Sequence, residues 1–252
     1  MITFIVPAFN EEGNIAPTIA TIRAAAEESK LDVIEIVIVD DGSSDGTPAE
    51  IATLAAAHSD IRPLRNRTNL GLGASIRAGI NVATAPSFMV VPGDNDVSKG
   101  TIVLMLNFRE QADVILVAPL NKEQRNLMRN LLSTAYMTAY MTAFHVYVVY
   151  INAPGIWPTA AARAAGLKSR RFSIISELTV KVLRMGCTFA EVPGYFQAGP
   201  KARSSVTLRN LAEVVVSFIR LIFDIYLRGG GRFSSTPKRK QIDFLNRPST
   251  RP

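Results

Sequence analysis

The chain has 252 residues, 48% of them hydrophobic, and a formal net charge of +7, so it is long enough for a sizeable core and too apolar for wholesale disorder. One cysteine, Cys187, and two histidines, His58 and His145, exclude a disulfide framework and argue against a Cys- or His-based metal site. Charge is uneven, with 8 Lys/Arg against 15 Asp/Glu in residues 1–120, 13 against 5 in 121–227 and 7 against 1 in 228–252; this suits a metal-using front, an anion-facing rear and no nucleic acid partner.

Residues 2–8 form a short apolar run with no basic leader before it, so the expectation is a chain that stays in the cytoplasm. Residues 15–30 carry Ala, Ile and Leu at helical spacing. Residues 33–39 are β-branched and nearly all apolar, the pattern of a buried parallel strand. A helix over 47–58, a strand over 61–64, a helix over 73–83, a strand over 87–91, a helix over 101–110 and a strand over 114–118 follow. That alternation predicts a doubly wound α/β sheet, whose ligands bind beyond the carboxyl ends of the strands near a topological switch point.

The rear reads differently. No charged residue falls between Arg129 and Arg163, and 131–151 is long enough to cross a bilayer. Ser133, Thr134, Thr138, Thr142 and His145 interrupt it, which favours a buried or interfacial helix. Residues 206–228 predict a long helix in which Arg209, Asn210, Glu213, Ser217, Arg220, Asp224 and Arg228 draw one narrow polar stripe. Glu213, Arg220 and Asp224 argue against a spanning segment. The helix therefore reads either as lying in a membrane interface or as packed on the protein's own core. From Gly229 onward the chain reads as a flexible basic tail.

Four segments at predicted strand ends carry the chemistry. They are Pro7-Ala8-Phe9-Asn10-Glu11-Glu12, Asp40-Asp41-Gly42-Ser43-Ser44-Asp45-Gly46-Thr47, Asn69-Leu70-Gly71-Leu72-Gly73, and Asp94-Asn95-Asp96. An acid at a strand end can accept hydrogen bonds from a base or ribose. Gly71 and Gly73 before a helix N-terminus permit close backbone approach and favour an anion. Asp94 and Asp96 can converge on one hard divalent cation.

In this order the segments resemble glycosyltransferase family 2. The segment Phe172-Ser173-Ile174-Ile175-Ser176-Glu177-Leu178, with Glu191-Val192-Pro193 after it, is similar to the dolichol-phosphate mannosyltransferase or polyprenyl-phosphate glycosyltransferase branch. The resemblance implies a GT-A fold: an α/β, Rossmann-like, doubly wound mixed sheet with a C-terminal amphipathic helical extension. It divides the chain into a catalytic domain over 1–205, an interface helix over 206–228 and the tail over 229–252. Within the domain, 1–120 is the nucleotide-sugar half and 121–205 the acceptor half.

The same resemblance implies an inverting hexosyltransferase that moves sugar from a UDP- or GDP-linked donor to a polyprenyl phosphate or other lipid acceptor. Pro7, Phe9, Asn10, Glu11, Asp40, Asp41, Asn69, Gly71 and Asp94 would hold the donor. Asp94 and Asp96 would hold Mg2+ or Mn2+, and Asp94, Asp96 and Glu177 would form the catalytic set. Arg125, Arg129, Lys201 and Arg203 would bind the acceptor phosphate. The expected location is the cytoplasmic face of the inner membrane, as a peripheral protein on the membrane surface. A hydroxyl acceptor needs a general base, and the Glu-Asp pair of relatives that use one is absent; a lipid phosphate is already ionised and needs cations instead. Transfer to a lipid or glycan hydroxyl, and a non-catalytic nucleotide-sugar-binding membrane protein, are the alternatives.

Overall fold

Runs of Ile and Val with no room for water between them dictate the centre of the molecule. In the computed structural model, which describes residues 1–120, 127–195 and 208–244, every residue of β1 (Ile2–Ala8) is buried. Side chains are described from residue 131 in the second stretch and from 212 in the third. The first half then alternates as predicted: α1 (Ile15–Glu28), β2 (Ile34–Asp40), α2 (Thr47–Ala57), β3 (Ile61–Arg65), α3 (Leu72–Val82), β4 (Ser87–Val90), α4 (Lys99–Asn107) and β5 (Val114–Pro119). Local signals fix several ends. Pro48 sits in the first turn of α2, and the Ser98 hydroxyl caps α4 by accepting from the Thr101 amide at 3.3 Å.

The second half contains α5 (Leu127–Phe144), β6 (Gly155–Pro158), α6 (Thr159–Ala164), α7 (Ile174–Arg184), β7 (Thr188–Gly194), α8 (Leu208–Ile222) and β8 (Lys238–Arg239). A π-helical turn, Phe223–Arg228, continues α8. The sheet order is β3-β2-β1-β4-β6-β5-β7-β8, with β6 antiparallel to both neighbours and the other pairs parallel. The sheet is therefore mixed, as expected. Strand order reverses at β1, so right-handed crossovers put α1 and α2 on one face and α3 on the other; α4 packs on α1, and α6 and α7 pack with α3. Trp157 on β6 is fully buried and stacks on Phe88, which makes it a packing residue.

Two expectations change. Residues 229–244 are no free tail. Phe233 is buried, β8 pairs with β7, Phe244 stacks edge-on against Phe108, and Gln111 exchanges two hydrogen bonds with the Asp243 backbone. His145 is exposed at the end of α5, in the left-handed conformation. Among the described residues no helix is long and apolar enough to cross a membrane.

Candidate active site

Register sets the site. Ala8 lies beside Asp40, and Asp40 beside Arg65, so β1, β2 and β3 end level with one another. The Pro7 carbonyl accepts from the Gly93 amide at 3.0 Å, which ties the loop after β4 to the end of β1. These ends flank the point where strand order reverses, where an open α/β sheet offers a crevice.

The loops after β1 and β2 brace each other. The Asn10 amide donates to Ser43 Oγ at 3.0 Å, and Asn10 Oδ1 accepts from the Ser44 amide at 2.9 Å. The Glu11 amide donates to Thr47 Oγ1, while the Glu11 carboxylate accepts from Asn14 Nδ2 at 2.7 Å. Asn10 takes a left-handed backbone, a strain Asn tolerates better than most residues. The result leaves Phe9 exposed as an aromatic face at the mouth of the sheet. Asn69 is exposed on the loop before α3.

The adjacent acids divide their work. Asp41 is buried and accepts from Asn66 Nδ2 at 2.8 Å, the Leu70 amide at 3.0 Å and the Gly71 amide at 2.8 Å. It shapes the 66–71 loop, so its expected contact with the donor is replaced by a scaffolding one. Asp40 Oδ1 accepts from the Ser43 amide at 2.8 Å. Asp40 Oδ2 is buried and pairs with Arg65 Nε at 3.0 Å, which orients the carboxylate at the end of β2.

Asp94 and Asp96 flank Asn95, whose left-handed backbone turns the loop back on itself. The Asp96 amide donates to Asp94 Oδ1 at 3.2 Å. Asp94 reaches solvent, yet the surrounding chain excludes enough water to raise its pKa, with hydrogen bonds from the Asp96 amide and its own pulling the other way. Among the described residues no three His, Cys, Asp or Glu side chains converge. Asp94 and Asp96 are hard oxygen donors, the type that Mg2+ or Mn2+ takes alongside a ligand's phosphates.

Two expectations meet a different environment. Gly71 and Gly73 do permit a close approach, but protein fills it. A Cβ on Gly71 would meet the Arg170 carbonyl oxygen at 2.5 Å, and one on Gly73 would meet that of Ser169 at 2.4 Å. The Gly73 amide donates to the Arg170 carbonyl at 2.8 Å and the Gly71 amide to Asp41, so neither is open to an anion. Glu177 lies inside the protein rather than at the strand ends. It is buried and accepts from the Lys168 and Ser169 amides, at 3.0 and 2.7 Å, and from Lys181 Nζ at 2.6 Å. Its oxygens are fully engaged inside the protein.

Of the acceptor-side cations, Arg125, Lys201 and Arg203 lie outside the described residues. Arg129 is on α5, without a described side chain. Sequence reasoning missed Arg65, which pairs with Asp40 across the β2–β3 register, and Lys181, which bridges Glu177 and Asp224. Glu177 and Lys181 are four apart on one helix, a spacing that signals their pairing; nothing local signals Asp224.

The rear helices invert the usual arrangement. Glu213, Ser217 and Asp224 turn inward: Glu213 accepts from Ser173 Oγ and Ser217 Oγ, and Asp224 pairs with Lys168 and Lys181. Val215, Val216, Ile219, Phe223 and Leu227 face outward, with Leu131 and Leu132 exposed on α5. Phe218 holds α8 to α5 through Tyr140 and Phe144. An open groove on the outer face is lined by Val216, Ile219, Phe223, Arg220 and Arg228.

The sequence model for glycosyl transferase family 2 matches residues 3–168. A dolichyl-phosphate beta-glucosyltransferase of Trichomonas vaginalis is 35% identical over 96 residues, covering 36% of this chain and 28% of that protein. A prophage bactoprenol glucosyl transferase homolog of Escherichia coli is 34% identical over 118 residues, covering 46% of this chain and 38% of that one. The chain thus spans less than half the length of either relative. Glucosyl-3-phosphoglycerate synthase of Mycobacterium tuberculosis, solved with Mn2+, uridine-diphosphate and phosphoglyceric acid, shares the fold with a TM-score of 0.57 at 15% identity, over 89% of this chain and 78% of that one.

Proposed function

This chain belongs to glycosyl transferase family 2, whose model covers about two thirds of it, and from that premise we propose that it moves a sugar from a nucleotide-sugar donor to a polyprenyl phosphate at a membrane surface. The observation that carries the reading is the meeting of Phe9, Asp40 and the Asp94-Asn95-Asp96 loop at the strand ends beside the topological switch. Phe9 offers a stacking face for a base, and Asp40 at the end of β2 would accept from a base or ribose donor. A divalent ion held by Asp94 and Asp96 would neutralise charge developing on the leaving diphosphate. The anomeric carbon–oxygen bond to that diphosphate breaks as an acceptor oxygen bonds from the opposite face, which inverts the centre.

The acceptor class follows from Glu177. A hydroxyl acceptor requires a base, and Glu177, the carboxylate considered for that role, is locked in a buried ion pair. A lipid phosphate arrives ionised and requires no base. The relatives named for dolichyl phosphate and bactoprenol support this class of acceptor. The outward apolar face of α8 and α5, with Arg220 and Arg228 at its groove, supports peripheral docking on an anionic lipid surface at the cytoplasmic face.

The test supplies labelled UDP- and GDP-sugars with polyprenyl phosphate, Mn2+ or Mg2+ and membranes holding the protein, with Asp96→Ala as control. A labelled, acid-labile lipid absent from the control is the expected result. Metal-dependent donor cleavage without labelled lipid would replace the phosphate acceptor by a hydroxyl one.

A further inference from the structure

A chain of polar contacts runs from the π-helical turn after α8 to the 66–71 loop before α3. It starts at Asp224 in the π-helical turn, on the inward side of the segment whose outer side carries Phe223 and Leu227. Asp224 Oδ2 meets Lys181 Nζ at 3.1 Å, and Lys181 Nζ meets Glu177 Oε1 at 2.6 Å. Asp224 Oδ1 also receives Lys168 Nζ at 2.6 Å. Glu177 then accepts from the Lys168 and Ser169 amides. Arg77, on α3, donates to the Ser169 carbonyl. The next carbonyl, Arg170, accepts from the Gly73 amide and packs against Gly71, which in turn donates to Asp41. Asp41 is the immediate neighbour of Asp40.

Buried ion networks are poor sources of stability, because desolvation consumes most of the Coulomb attraction. Their attested use is to fix register. Here the fixed element is the 168–170 backbone, and Gly71 and Gly73 allow it to touch the loop that Asp41 shapes.

We propose that Asp224 is a positioning residue for the nucleotide-sugar site, acting through Lys181 and Glu177 on the 168–170 backbone and so on the Gly71 turn. The inference rests on the donor site described above. It makes the helix that turns its apolar side outward the same helix that holds the donor loop in place.

The test compares the full chain with Asp224→Asn, with the combined Glu177→Gln, Lys181→Met and Asp224→Asn variant, which strands no buried charge, and with Leu183→Ala as a stability control on the same helix. UDP and GDP affinity with Mn2+, donor KM and kcat, and hydrogen exchange at the Ser169 and Gly73 amides are measured. Asp224→Asn is expected to weaken nucleotide binding about tenfold and to raise donor KM in step, with little change in kcat. The combined variant behaves likewise, the two amides exchange faster in both, and Leu183→Ala lowers the melting temperature without moving affinity. Wild-type affinity and exchange in both relay variants, or an equal loss of affinity in Leu183→Ala, would overturn the inference. A wild type that binds neither nucleotide overturns the functional reading and this inference with it; one that binds, beside relay variants that bind equally well, overturns this inference alone.

Discussion

At the ends of β1, β2 and β4 the carboxylates Asp40, Asp94 and Asp96 sit at the mouth of the sheet, above a core of Ile, Val and Phe. In the layer of α7 and α8 the pattern reverses. Glu177, Lys181 and Asp224 are inside, and Val215, Val216, Ile219, Phe223 and Leu227 are outside. The front sets these carboxylates over an apolar foundation. The rear buries charge and presents an apolar face to its surroundings, an arrangement with no gain in water and a clear gain against lipid.

The comparison breaks most sharply at the metal pair. Asp96→Ala, or chelation of divalent ions, should lower sugar transfer about a hundredfold or more, read as nucleoside diphosphate released. Transfer that survives both would remove the polar-ligand role of the front. In the rear, Lys181→Ala strands Glu177 and Asp224 as buried charges and should cost about 3–5 kcal/mol of folding stability in denaturant titration, whereas Lys181→Met together with Glu177→Gln and Asp224→Asn should cost far less. Equal losses would mean that side-chain volume, not charge, holds that layer together.

Asp41→Ala sharpens the division between neighbouring acids. It leaves the Leu70 and Gly71 amides without their acceptor and should destabilise the protein by about 1–3 kcal/mol. Asp40→Asn should instead act chiefly on nucleotide affinity. On the outer rear face, Ile219→Glu with Phe223→Glu should weaken binding to anionic vesicles about tenfold while unfolding shifts by no more than about 0.5 kcal/mol per exposed site. Unchanged vesicle binding would assign the apolar face another partner.

Legibility in the sequence follows the same divide. The front was readable because a parallel strand buried on both faces announces itself as a run such as residues 34–39, and because each site segment follows its strand directly. The end of β2 marked both Asp40 and Asp41, but only three-dimensional contact showed that the 66–71 loop occupies the second. The Gly71 and Gly73 pair looked the same whether it admits a phosphate or the Arg170 carbonyl, since the backbone demand is identical. In the rear, β6 is only four residues long, ends at Pro158 and runs against its neighbours, and β7 carries Glu191 and Pro193 within it, so periodicity gave no strand there. The polar stripe of α8 was visible; that Glu213, Ser217 and Asp224 of it turn inward was not, because their partners Lys168 and Ser173 are distant in sequence.

The smallest expected effect isolates one rear carboxylate. Burial alone would raise the Asp224 pKa, but hydrogen bonds from Lys168 and Lys181, and their charges, outweigh it and hold the group below its usual value. A folded pKa below the unfolded value, about 3.9 for Asp, means that the ionised group stabilises the fold fully above that pH. The contribution fades as pH falls below about 4 and through the folded pKa. Urea titrations from pH 7 to pH 3 should therefore show a shallower acid loss of stability in Asp224→Asn than in the wild type. Asp113, lowered by hydrogen bonds from Thr188, titrates in both proteins and cancels in the difference. Parallel acid limbs would place Asp224 among ordinary solvated carboxylates, and the inverted charge of the rear would then rest on Glu177 and Lys181 alone.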